Sequence, residues 1–158
     1  MFKVPSEFLL RLREPLDWVD LKYAYENGLI GPQFVIDFAC RQLSETDCAD
    51  DDVLAIASAA KSAPLSLLIE RVTGIVEFKP ETVRKWALIL AAFIGGSDAP
   101  HKLDIVREIY TSFDYPEELA EYVNYMPMNG PDLGSVEANE NRALESLKNF
   151  STRFVAQY

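Results

Sequence analysis

The 158 residues carry 15 basic and 25 acidic side chains, a formal net charge of −10, with 49% apolar and 25% charged residues. That length fits one domain able to bury about 70% of the surface of its unfolded chain, so the core needs no disulfide or metal, and the composition excludes a disordered chain. The excess acid is spread, with 13 acidic against 8 basic side chains in residues 1–79 and 12 against 7 in residues 80–158; it repels phosphate backbones, which excludes a nucleic-acid binder, and it suits either a basic partner or plain solubility.

The chain begins Met1-Phe2-Lys3-Val4-Pro5 with no apolar signal core, and no run of 18 apolar residues follows, so the expectation is a cytoplasmic protein that spans no membrane. Helical periodicity then dominates. Residues 16–25 are entered through Pro15, with Asp17 placed to cap and Gly28 placed to close the helix. Gly31-Pro32 opens a second helix whose stripe is Phe34, Val35, Phe38, Ala39 and Leu43. The acidic residues 45–52 lead into a third, from Val53 to about Ala60, because carboxylates favour the positive end of a helix. Ser62-Ala63-Pro64 opens a fourth, from Leu65 to about Val72, and the short β-like run 74–78 reads as a connector.

Pro80 suits the first position of the next helix, having no amide hydrogen to satisfy. Val83, Trp86, Ala87, Leu90, Phe93 and Ile94 follow helical spacing, and Leu88, Ile89, Ala91 and Ala92 make this helix apolar on nearly every face. Such a helix belongs in the centre of a domain, with Gly95-Gly96 at its end. Asp98-Ala99-Pro100 starts another, with Leu103, Val106, Ile109, Tyr110 and Phe113 inward. Pro116 interrupts it, and Glu117-Glu118 begin a short helix. Pro127, Gly130, Pro131 and Gly134 mark a loop, and Ser135 can cap a last helix whose stripe is Val136, Ala143, Leu144, Leu147, Phe150, Phe154 and Val155. The fold class is therefore all-α: a single-domain bundle over residues 1–158 of about seven to eight short antiparallel helices, with a loose helix-pair rhythm that admits solenoid-like packing.

Catalytic chemistry has little to stand on in this sequence. There is no Gly-x-Ser-x-Gly, P-loop or Gly-x-Gly-x-x-Gly. The one histidine, His101, sits in a first turn, exposed, and Cys40 lies beside an apolar stripe as core filler. Cys40 and Cys48 form no Cys-x-x-Cys, and the run 45–52 lacks the glycine and terminal glutamate of a calcium loop. The expectation is no enzyme, no cofactor and no metal site. Residues 104–121 hold six acids (Asp104, Glu108, Asp114, Glu117, Glu118 and Glu121) against Arg107, a local net of −5. Tyrosines are interleaved with them, and tyrosine gives large contact area at modest entropic cost. Asp114, Tyr115, Glu117, Glu118, Glu121, Tyr122 and Tyr125 are thus the candidate partner-binding residues. The competing reading packs Tyr110, Phe113, Tyr122 and Tyr125 inward and leaves the acids as solvated surface.

Lys85-Trp86, the run Ile109-Tyr110 to Phe113-Asp114-Tyr115-Pro116-Glu117-Glu118 and the turn Tyr125-Met126-Pro127 resemble a family of small bacterial proteins of unassigned function, one associated with immunity proteins of polymorphic and contact-dependent toxin systems. The resemblance covers about residues 80–128 by motif and residues 1–79 by general helical pattern, with Leu16-Asp17-Trp18 near the start. It implies a non-catalytic protein that binds a cognate toxin and covers its active site or locks its shape. Many such toxins are basic nucleases, so carboxylates of an acidic inhibitor can lie where phosphates would sit. A helical scaffold or regulatory module with another protein partner is the alternative, and a carboxylate-using enzyme is the third reading. The resemblance carries over no functional residue.

Overall fold

In a computed structural model that describes residues 2–47, 50–123 and 130–158, the chain is all-helical, and no strand occurs among those residues. Its contacts gather into two compact units. The first takes residues 1–10 and 15–82, the second residues 11–14 and 83–158.

The first unit contains α1 (Ser6–Leu9), α2 (Trp18–Glu26), α3 (Pro32–Glu45), α4 (Asp51–Ala57) and α5 (Ser66–Thr73). Asp17 caps α2 as expected. Its carboxylate accepts from the Asp20 N–H, and Asp20 returns the bond to the Asp17 N–H, a reciprocal box that satisfies two orphan amides. Asn27 and Gly28, the latter at φ 69°, end the helix. Asp50 caps α4, accepting from the N–H groups of Asp52 and Val53. α3 packs on α4, α2 on α5 and α4 on α5, around Leu21, Val35, Ile56, Leu65 and Ile69. Trp18 donates its indole N–H to Gln42 at 2.6 Å and stands edge-on to Phe38. Cys40 is exposed rather than filling the core; it lies about 100° round the helix from Ala39, which points inward. Cys48 lies outside the described residues.

α6 (Pro80–Gly96), whose body from Val83 belongs to the second unit, is buried at every residue from Trp86 to Ala92. This is the all-round burial its sequence requires. α7 (Lys102–Ser112) starts three residues later than Asp98-Ala99-Pro100 suggested. His101, at φ 54° in the left-handed region, separates that turn from the helix. A 3-10 helix (Glu117–Tyr122) and α8 (Val136–Gln157) follow, and Ser135 caps α8 by accepting from the Ala138 N–H. α8 packs through Leu147, Ser151 and Phe154, whereas Val136 is 75% exposed and Leu144 is also exposed. The expected inward stripe of α8 is therefore buried only in its second half. The Glu14 N–H donates to the Tyr158 carbonyl, bringing residues 11–14 to this unit. No helix among the described residues is long and apolar enough to cross a membrane.

Candidate functional site

The candidate residues lie where α7 gives way to the 3-10 helix, within the second unit. α7 stops at Phe113, whose N–H still reaches the Ile109 carbonyl at 3.0 Å. Asp114 and Tyr115 then adopt φ 60° and 56°, two consecutive non-glycine residues in the left-handed region. The Tyr115 N–H donates to the Tyr110 carbonyl at 2.9 Å, closing the helix end by a bond of the six-to-one kind. Aspartate tolerates this backbone; tyrosine pays for it with steric strain of about 1–2 kcal/mol. Pro116, extended at ψ 124°, forbids the α-helix from continuing.

This turn throws the Tyr115 side chain outward, where it is 58% exposed. Its ring stands edge-on to Tyr110 at 5.3 Å, so one side of an otherwise exposed aromatic is in contact with α7. The 3-10 helix then repeats every three residues. Leu119 and Tyr122 point inward together and are buried, Glu118 and Glu121 share a second row, and Glu117 lies on the third.

The carboxylates differ in availability. Glu118 is ion-paired with Arg84 of α6, and its second oxygen is buried without a hydrogen-bond partner. Asp114, Glu117 and Glu121 are exposed, and none is in an ion pair among the described residues. Tyr122 is 2% exposed. Burial pushes its phenol up to about 12, with Ser146 and Glu121 beside it but no hydrogen-bond partner at bonding geometry among the described residues. Tyr122 is thus a core residue rather than a surface contact, because the three-residue period puts it in line with Leu119. Glu118 is held by its own chain. Tyr125 lies outside the described residues. Tyr110 and Phe113 are buried, so the inward reading holds for them and for Tyr122, while Tyr115, which that reading did not include, is exposed.

Sequence reasoning missed the depressions between α7 and α8. One, of about 760 Å³, is lined by His101, Lys102, Asp104, Leu144, Glu145 and Lys148 among others. A smaller one of about 270 Å³ adjoins it, sharing Leu103 and Glu140, and is walled by Tyr122 and Val136. The available signal was the first half of the α8 stripe: its apolar residues border these depressions instead of meeting a core. Among the described residues, no three of His, Cys, Asp and Glu gather as a metal-ligand set.

The family model described as "Uncharacterized protein conserved in bacteria (DUF2247)" matches residues 7–153. No curated protein and no solved structure matches the chain.

Proposed function

From the premise that the chain belongs to this bacterial family, we propose that it is a protein-binding module that neutralises a basic toxin domain, acting as an immunity protein and without catalysis. The observation that carries the reading is the exposed Tyr115 ring, edge-on to Tyr110 and flanked in the chain by the exposed carboxylates of Asp114 and Glu117. An aromatic anchor with carboxylates around it suits a basic partner. The ring supplies buried area and a negative face for a cation, and the carboxylates supply steering and register. The net charge of −10 acts in the same direction at longer range.

The test is co-purification of the chain with the product of the gene beside its own, followed by assay of that product's toxicity with and without the chain. The expected result is a stoichiometric complex in which toxicity is suppressed. Tyr115→Asn, which keeps a residue tolerant of the left-handed backbone while removing the ring, should weaken the complex by at least about tenfold. A neighbouring product that neither binds nor is inhibited, or a Tyr115→Asn variant that binds as the parent does, would overturn the reading.

A further inference from the structure

We propose that the 270 Å³ pocket between α7, the 3-10 helix and α8 receives an arginine side chain from the protein partner, whose guanidinium meets Glu121 and Glu140. The inference deepens the toxin-binding reading and rests on it for the partner, but not for the pocket.

The pocket's apolar lining comes from Leu103 of α7, Tyr122 and Val123 at the end of the 3-10 helix, and Val136 and Ala143 of α8. Among the described residues, the charged lining groups are the carboxylates of Glu121 and Glu140. Both residues are exposed, and neither is in an ion pair among the described residues. Asn139, the other polar residue of the lining, is engaged elsewhere, since its amide accepts from the Leu133 N–H and donates to Asp132. The cations of α7 are committed too. Lys102 reaches the Gly95 carbonyl at 3.3 Å, and Arg107 pairs with Asp104 at 2.9 Å. Two exposed carboxylates thus share the pocket with apolar side chains and with no cation among the described lining residues, while Glu121 also lies beside the Tyr122 phenol, where the Arg153 charge is felt as well.

The volume lies just below the range of small-molecule sites, about 300–1,000 Å³, and suits one long side chain. A side chain with an apolar stem and a cationic head suits an apolar lining that also carries two carboxylates. Arginine fits better than lysine: its planar head carries five donors and can serve two carboxylates at once, and it is less strongly hydrated than an ammonium.

The test needs no toxin. N-acetyl-arginine methylamide is titrated into the ¹⁵N-labelled chain and followed by NMR, with the citrulline and lysine counterparts as controls. Expected are saturable shifts confined to residues around Leu103, Glu121, Val136 and Glu140. Half-saturation should rise at least tenfold in Glu121→Gln/Glu140→Gln and with the citrulline compound. Both substitutions are neutral and at exposed positions, and Glu140→Gln alone serves if the double variant does not fold. Shifts that never saturate or spread over the acidic surface, equal binding of the lysine compound, or unchanged binding by the glutamine variants would each overturn the proposal. Because no partner enters this titration, a silent pocket beside a toxin complex that forms removes the pocket alone. A pocket that binds while the neighbouring gene product does not removes the toxin reading alone.

Discussion

Gly95 of α6 lies directly against the backbone of Leu147 in α8: a Cβ at position 95 would stand 2.8 Å from the Leu147 carbonyl oxygen and 3.3 Å from the Ser151 Cβ. At Gly96 the same atom would meet the Ser151 Oγ at 2.7 Å, and that hydroxyl donates to the Ala92 carbonyl. The two glycines therefore let α8 approach α6 as well as ending it. Gly95→Ala pushes backbone against backbone, which no rotamer change relieves. It should cost about 1–3 kcal/mol and lower Tm by about 3–10 °C. Gly28→Ala, with open space around its Cβ, suffers only from its φ of 69° and serves as the comparison in thermal melts.

Trp86 is fully buried on the helix whose every face is covered. Trp86→Ala should cost about 3–5 kcal/mol, the range for large core aromatics, read as a drop in the denaturation midpoint with the slope unchanged. A variant melting within a degree or two of the parent would remove Trp86 from the core.

How far the sequence carried the reading can be seen residue by residue. Asp17, Pro80 and Ser135 marked helix starts because such signals are local chemistry, decided within four residues, whereas the acidic run 45–52 was read as leading into a helix from Val53 that in fact starts at Asp51, capped by Asp50. Trp86 was legible because an apolar helix has only one place to go. Tyr115 and Tyr122 were not separable in sequence, being both tyrosines among carboxylates. Their opposite fates depend on two left-handed residues and a three-residue period, neither of which has a signature there. Val136 and Leu144 fitted a helical stripe, yet a stripe says which face is apolar and not how much of it a neighbour covers. The arginine pocket was invisible for the same reason, since Glu121 and Glu140 are brought together only by packing of α8 on the 3-10 helix.

Alkaline pH should expose the Tyr122 phenol. In the unfolded chain it ionises near its ordinary value of about 10, but in the fold it holds its proton to about 12. Below pH 10 both states are protonated and stability is complete. Between about 10 and 12 the unfolded state binds fewer protons, so stability falls as pH rises through this window. Tyr23, also raised by burial, acts in the same direction, so the variant comparison isolates Tyr122. Tyr122→Phe removes a buried hydroxyl without a hydrogen-bond partner and should be at least as stable as the parent at pH 7. Its melting temperature should decline less between pH 10 and 12. Parallel curves for parent and variant would show that this phenol does not titrate with folding.

Glu117 and Glu118 are neighbours with different duties, and single charge reversals should separate them. Glu118→Lys sets a cation against Arg84 and displaces a carboxylate whose second oxygen is buried. It should cost on the order of 1 kcal/mol or slightly more, above the usual value of an exposed pair because one oxygen is enclosed. Glu117→Lys disturbs no ion pair and should stay within about 0.5 kcal/mol of the parent. Equal losses in chemical denaturation would mean that the Arg84 pair contributes nothing to stability.

The same comparison, carried into binding, should come out in the reverse order. Asp114 and Glu117 are exposed on either side of the Tyr115–Pro116 step and are in no ion pair among the described residues, so their field is available to an approaching cation. Reversing both to lysine keeps the fold, because each faces solvent and Asp114→Lys adds only the modest strain of a less tolerant residue at φ 60°. Association with a basic partner should slow by about tenfold or more at low salt, since like charges then face each other during the encounter. Raising the salt should slow the parent steeply and the double variant little, because at 0.15 M the Debye length is about 8 Å and the steering field no longer reaches the partner. Glu118→Lys, although the more destabilising change, should alter the rate less, because it reverses one charge and the double variant reverses two. Stopped-flow association at low and high salt for these variants, with melting curves alongside, distinguishes the two orders. If the rate followed stability instead, with Glu118→Lys the slowest and the parent insensitive to salt, the Tyr115 face would have no part in steering.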